Sequence, residues 1–187
     1  MTSSALLTLE LDNARIADAF RGIAEAAPGT ASGTVDYVPG GAVIEARAPL
    51  GTIAIMCAPD ALSEDVAVNI AAALAAGNRV AVGLIDAPDR VLTSVLATLT
   101  GGLDHDEFWI LGSDRRSWQQ LGFGYVIVAI SSAGVRVGES PRQPHLRTAP
   151  LDLIRRYTRV HRFGVSIDTC VVSRLPATEH STKGTRS

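Results

Sequence analysis

A chain of 187 residues, 47% of them hydrophobic and 19% charged, can bury one substantial α/β core with a small appendage, but not two large domains. Its 17 Lys and Arg nearly balance 19 Asp and Glu, and a net charge of −2 gives no general affinity for nucleic acid or acidic membranes. With no basic leader and no apolar run of membrane-spanning length, the chain reads as soluble and cytoplasmic, and its two distant cysteines, Cys57 and Cys170, read as buried thiols rather than a disulfide or metal pair.

Met1 to Ser4 reads as a frayed end, and Leu7-Thr8-Leu9-Glu10-Leu11 alternates like a short strand. Asp12-Asn13 offers a cap for a helix with Ile16, Phe20 and Ile23 on one face, ended by Pro28-Gly29. Residues 29–34 form a small-residue loop. Val35 to Val38 and Ala42 to Arg47 flank Pro39-Gly40-Gly41, a hairpin signal. Thr52 to Cys57 is an uncharged run with two isoleucines, the pattern of a strand buried on both faces. Ser63 then serves as cap for a helix that opens on Glu64-Asp65 and carries Val66, Ile70 and Leu74 on one face; Gly77-Asn78 supplies a left-handed stop. A strand follows from Arg79. A crossover of this size is a βαβ unit with parallel strands, and the loop after Cys57 lies at the sheet edge where ligands bind.

The alternation continues. Pro88-Asp89 starts a helix burying Val91, Leu92, Val95, Leu96 and Leu99, with Gly101-Gly102 as its stop. Phe108 to Leu111 is a strand, Ser113-Asp114 caps a short helix through Leu121, and Tyr125 to Ile130 is another apolar strand. Strands separated by helices predict an α/β fold, a Rossmann-like doubly wound parallel sheet. From Ser140 the prolines 141, 144 and 150 break regular structure. Leu151 to Tyr157 reads as a short helix, and Arg159 to Val172 as a strand or hairpin presenting Val160, Phe163, Val165, Ile167 and Val171. The expected organisation is a Rossmann-like domain over 1–139, a linker and small C-terminal β-flap over 140–175, and a disordered polar tail over 176–187.

Several of these residues carry a family resemblance. Pro49-Leu50-Gly51, the hydrophobic strand, Pro59-Asp60 in place of a Pro-x-Asn loop, and Ala72-Ala73-Leu74-Ala75-Ala76-Gly77-Asn78 together resemble the nucleotide-binding half of aldehyde dehydrogenases, over roughly residues 13 to 138. Residues 61 to 76 separate Asp60 from Gly77, the distance that family keeps between its oxyanion-hole asparagine and its Gly-Asn turn. Phe163-Gly164-Val165-Ser166-Ile167-Asp168-Thr169 resembles the family's oligomerisation flap. The likeness is closer to the catalytically incomplete aldehyde-dehydrogenase-like domain at the C-terminus of bifunctional proline-utilisation flavoproteins, although the Gly-Gly-Asn run that follows there is missing here.

The resemblance implies a cysteine nucleophile and a carboxylate base in a domain outside this sequence, so no catalytic residue is expected. Asp60 stands where the family has an amide donor, and an ionised carboxylate neither donates nor tolerates a developing oxyanion. The family's ribose-binding lysine falls at Gly83 and its glutamate at Asp86; the phosphate-approaching Gly-Ser loop falls near Ser131, Ser132, Ala133, Gly134 and Gly138, with the glycine order disturbed. No cofactor is therefore expected, and if one binds it is NAD or NADP, held weakly through Asp86, Ser132 and Gly134.

Asp104-His105-Asp106-Glu107 has metal-compatible side chains, but consecutive residues cannot all converge on one ion, and it reads as a solvated loop; no metal site is expected. Arg142, His145, Arg147, Arg155, Arg156, Arg159, His161 and Arg162 read as a solvated face, with phosphate or an acidic protein surface as the alternative. Three functions remain, in order: an oligomerisation or partner-covering pseudoenzyme subunit, acting through residues 150–175 on a second copy or on a complete aldehyde dehydrogenase, including one for L-glutamate γ-semialdehyde in proline catabolism; a dinucleotide-binding regulatory subunit; and an NAD(P)-dependent aldehyde dehydrogenase active only with a partner chain.

Overall fold

The computed structural model describes residues 2–30, 33–84, 87–112, 115–145, 149–166 and 172–174. In chain order the elements are α1 (Thr2–Leu7), α2 (Ala14–Ala26), β1 (Thr34–Val38), β2 (Gly41–Pro49), β3 (Thr52–Cys57), α3 (Ser63–Ala75), β4 (Arg79–Leu84), α4 (Arg90–Gly102), β5 (Phe108–Leu111), α5 (Arg115–Gln119), β6 (Val126–Ser131), β7 (Gly134–Val137), α6 (Pro150–Arg156), β8 (Thr158–Ser166) and β9 (Val172–Arg174). They divide into two compact units, Met1–Thr30 with Pro49–Arg159, and Ala31–Ala48 with Val160–Ser187.

The first unit holds a five-stranded sheet in the order β5-β4-β3-β6-β7. β3 pairs in parallel with β4 and with β6, and β4 in parallel with β5, as the βαβ reading requires. Because side chains alternate across a strand, Ile53, Ile55, Val80, Val82, Phe108, Val128 and Ile130 form the sheet's share of one large core with α2, α3, α4 and α6. Ala54, Ala81, Trp109 and Leu111 point to the other face, beneath Leu121 just after α5. The fold is thus α/β and Rossmann-like, with the sheet's deeper layer on one face.

α2 is capped as its sequence predicts: the Asn13 side chain accepts from the N–H groups of Arg15 and Ile16, and Ile16, Phe20 and Ile23 are buried. Burying each of these side chains contributes about 1.5–3 kcal/mol. Gly77 ends the α3 region with φ 83°, a left-handed value that glycine adopts without steric penalty.

Four readings change. Residues 7–11 form no strand: α1 covers Thr2–Leu7, with Leu6 buried and Leu9 and Leu11 packed against the core. With no neighbouring strand to pair with, the alternation is satisfied by docking on the core instead. Ser63 does not cap α3; Leu62 is the cap residue and makes no side-chain hydrogen bond. Where a Gly-Ser loop was expected near Ser131 to Gly138, β6 turns in a hairpin into the antiparallel β7, where Ser131 pairs with Gly134. Finally, α6 and Tyr157 belong to the first unit, with Leu153, Ile154 and Tyr157 in its core, so compactness does not divide at 139/140.

The second unit holds an antiparallel sheet in the order β1-β2-β8-β9. The β1–β2 hairpin closes at Val38↔Gly41, with Gly40 at φ 78° in the turn. β8 pairs with β9 from Phe163↔Arg174 to Val165↔Val172. The flap is therefore a hairpin joined to β2, while Ile167 to Val171 and the tail from 175 lie outside the described residues.

Two tests follow from this packing. The buried Asn78 amide serves Gly51 N, Ala73 O and Tyr157 O. Asn78→Ala strands these groups and should lower unfolding free energy by about 2–4 kcal/mol, read from the denaturant midpoint. Deleting 150–157 should abolish cooperative unfolding of the first unit by circular dichroism; a native-like transition would disprove α6's part in the core.

Candidate functional site

In the order β5-β4-β3-β6 the chain runs outward from β3 to β5 and returns to place β6 on the other side of β3. The carboxyl ends of β3 and β6 are therefore the switch point, the crevice where open parallel sheets bind ligands. Here that crevice is bridged by the chain itself. Ala58 N–H donates to Ile130 O at 2.8 Å, and Ser132 Oγ donates to Asp60 Oδ2 at 2.5 Å. The Ser132 hydroxyl, joined by its own backbone N–H and by the Arg142 charge, holds the Asp60 carboxyl below the usual carboxylate range. Asp60 is thus an acceptor-only anion at neutral pH. Its side chain cannot supply the amide hydrogen that oxyanion stabilisation needs.

The glycine of the expected phosphate loop has a different task. Gly134 opens β7 with φ 128°, and a Cβ there would lie 2.2 Å from Gln143 O. Its hydrogen atom lets the 143 segment approach, where Val135 and Gln143 exchange backbone hydrogen bonds of 2.8 and 2.7 Å. With a hairpin after β6, no helix N-terminus faces the switch point from that loop. Gly83, at the family's lysine position, is packed against Met56, whose Sδ would stand 2.8 Å from an added Cβ. Asp86 lies outside the described residues.

Beside the switch point, a cleft of about 210 Å³ lies between the ends of β3 and β4 and the start of α4. Cys57, Pro59, Ser63, Leu84, Pro88 and Asp89 contribute to its wall, and no Lys or Arg lines it among the described residues. Asp89 caps α4, accepting from Leu92 N–H at 2.8 Å, and this bond together with the Ser63 hydroxyl holds its carboxyl low. Burial pushes the Cys57 thiol up to about 12, so it stays protonated and is no nucleophile at neutral pH. A pyrophosphate in this cleft would meet the Asp89 carboxylate, with no cation on the wall among the described residues. Among the described residues, this lining offers a dinucleotide no charge complement for its pyrophosphate.

The arginine and histidine group is not one patch. Arg156 is drawn inward, donating to Gln143 Oε1 at 3.1 Å and Pro144 O at 3.0 Å. His145 Nε2 lies 2.8 Å from Ser131 O, Arg162 Nε 2.9 Å from Glu45, and Arg155 3.4 Å from Asp152. Arg147 lies outside the described residues. Asp104 to Glu107 form a turn, with Glu107 N–H donating to Asp104 O, and no group of three or more His, Cys, Asp or Glu is placed for a metal among the described residues. Nor is any described helix long and apolar enough to cross a membrane.

Sequence reasoning missed Asn69, which is buried and accepts from Tyr157 OH at 2.7 Å across 88 positions. A lone Asn in an alanine-rich helix was the signal available. The Asp65–His145 pairing was equally hidden: the two lie 3.7 Å apart, with side chains 6% and 12% exposed.

No protein-family model and no curated protein matches the chain. Among solved structures it is similar to proline utilization A from Bradyrhizobium japonicum, at 21% identity and TM-score 0.43 over 57% of this chain and 11% of that one. It is also similar to the NADP-dependent glyceraldehyde-3-phosphate dehydrogenase from Bacillus halodurans, at 19% and 0.42 over 60% and 26%. A third is succinate-semialdehyde dehydrogenase from Burkholderia pseudomallei, at 20% and 0.42 over 56% and 22%. The chain thus spans about a tenth to a quarter of each, and likeness at this level assigns it no activity, substrate or cofactor.

A carboxylate whose folded pKa is depressed adds stability above its unfolded pKa, and that contribution is lost as pH falls through the folded value. Ser132→Ala should therefore move the Asp60 midpoint up toward an ordinary carboxylate, followed by NMR titration; an unmoved midpoint would remove Ser132 as the cause. Calorimetric titration with NAD or NADP should show little heat at millimolar cofactor.

Proposed function

We propose that this chain is a non-catalytic subunit, aldehyde-dehydrogenase-like in fold, that assembles through its antiparallel sheet, pairing with a second copy or covering a complete aldehyde dehydrogenase such as one acting on L-glutamate γ-semialdehyde. The observation that carries this reading is how little the described residues of the second unit are buried. All five residues of β1 are exposed, Tyr37 by 86% and Val35 by 49%, and in β2 only Gly41 is buried. In β8 no residue is buried, and Val160 is 41% exposed. Apolar β-formers laid out on an edge strand and left in water either find a cover or risk aggregation. An assembly role also needs no nucleophile, in keeping with the protonated Cys57 thiol and the anionic Asp60.

Light scattering of the full chain should give a dimer or a larger assembly, or a purified aldehyde dehydrogenase should bind it. The double change Val35→Asp, Tyr37→Asp, on one face of β1, should abolish association while the first unit keeps its circular dichroism. A monomer at high concentration that binds no aldehyde dehydrogenase would sink the proposal. Reduced-cofactor absorbance should stay flat with aldehydes and either nicotinamide cofactor, and turnover that vanished on Cys57→Ala would overturn the non-catalytic reading.

A further inference from the structure

We propose that the open half of the five-stranded sheet's second face, over β3, β6 and β7, docks an acidic amphipathic helix of a partner protein. The register fixes what stands side by side there: Ile127 with Ala54, and Arg136 with Ala129 and Met56. Over β4 and β5 the same face is roofed, since Leu121 packs with Ala81, Trp109 and Leu111. Over β6 and β7 it is open. Ile127 is 49% exposed, Arg136 is exposed, and Phe123 and Tyr125, which lead into β6, are 108% and 39% exposed. β3 and β6 pair in parallel, and parallel strands are ordinarily covered on both faces, so an apolar row left in water here marks a surface that a partner covers.

The geometry of the surface selects a helix. A sheet face, unlike an edge, offers no ladder of N–H and C=O groups, so whatever lies on it must satisfy its own backbone. Adjacent strands lie about 4.8 Å apart, so β7, β6 and β3 make a shelf about 10 Å wide, which matches a helix about 10–12 Å across. β6 has six residues and is about 20 Å long, the length of about 13 helical residues. Ala54 and Ala129, the neighbours of Ile127 on this face, are small, so Ile127 stands above them for a leucine stripe to grip. Charge selects the kind of helix. The paired strand residues of this face include Arg79 and Arg136 and no Asp or Glu. Arg79 is engaged with the Trp109 ring at 5.3 Å and with Asp106 O at 2.8 Å, whereas Arg136 lies at the open side. A second copy offering the same face would set arginine against arginine, so the complement is a helix flanked by carboxylates.

The test titrates the full chain with a capped helical peptide of about 14 residues, its leucines on one face and its flanks of Glu, at constant ionic strength. The methyl NMR signals of Ile127 and Met56 should shift saturably, and the same peptide with Lys for Glu should bind at least tenfold more weakly. Arg136→Glu, an exposed change, should reverse that preference, and Ile127→Asp should abolish the Met56 shift with native circular dichroism. The pair Val35→Asp, Tyr37→Asp should leave the titration unchanged, which separates this surface from association through the antiparallel sheet. Should Ile127→Asp not fold, the two peptides and Arg136→Glu decide. No saturable shift, an equal response to both peptides, or an unmoved preference in Arg136→Glu would overturn the proposal. So would Ile127 and Met56 signals that ignore the peptide but move on concentrating the protein alone, the mark of a second copy, or on adding phosphatidylserine vesicles, the mark of a membrane.

Discussion

Two asparagines on α3 and its exit turn hold the first unit together by gripping one tyrosine at both ends. Asn78 Nδ2 donates to Tyr157 O at 3.0 Å and to Ala73 O at 2.9 Å, while its Oδ1 accepts from Gly51 N–H at 2.9 Å. Asn69 Oδ1, farther back along α3, accepts from Tyr157 OH at 2.7 Å. Tyr157 is fully buried, which pushes its phenol pKa up and keeps it a neutral donor. Each such bond nets about 0.5–1.5 kcal/mol, but a buried amide left unpaired costs more, so the set works as a unit or not at all. Through it the turn before β3, the end of α3 and the end of α6 become one object, and the ends of β3 and β6 acquire a fixed frame.

That constraint explains which parts of the fold were legible. β3, α3 and β4 follow from local rules: a buried strand reads as an apolar run, and a left-handed stop reads as Gly-Asn. The hairpin at Gly40 and the cap at Asn13 are local as well. The role of α6 is not, because Tyr157 meets Asn78 and Asn69 across 79 and 88 positions, and nothing in the prolines near 140 signals that the following helix returns to the core. The β6–β7 hairpin stood where the resemblance implied a Gly-Ser loop near Ser131 to Gly138, and the short Ser132-Ala133 link between two apolar runs is the local signal for it. α1 shows the opposite error, since an alternating pattern specifies a strand only where another strand can pair with it.

The β6–β7 hairpin sets the chemistry of the switch point more than any single side chain does. A helix beginning there would aim N–H groups and a partial positive charge into the crevice. The hairpin instead ties Ser132 to Asp60 and sets an anion at the carboxyl ends of β3 and β6. The close approach of Gln143 by itself requires glycine at 134. The sheet needs only its apolar faces to form, so the fold constrains the ligand geometry of its edge little.

The second unit obeys a different balance. Its strands are joined by backbone hydrogen bonds and by an Arg162–Glu45 pair whose side chains are 29% and 31% exposed, while His161 and Phe163 stack at 6.1 Å along β8 itself. A partly exposed ion pair contributes about 0–1 kcal/mol, and a ring contact about the same. Gly41 packs so close to β8 that an added Cβ would meet Val165 O, so register is defined even where burial is slight. Specified register without a core places this sheet at the low end of local stability. A surface that covered it would stabilise it by an amount that grows with the logarithm of that surface's concentration over its Kd, so any such partner would order the sheet by the same equilibrium through which it bound.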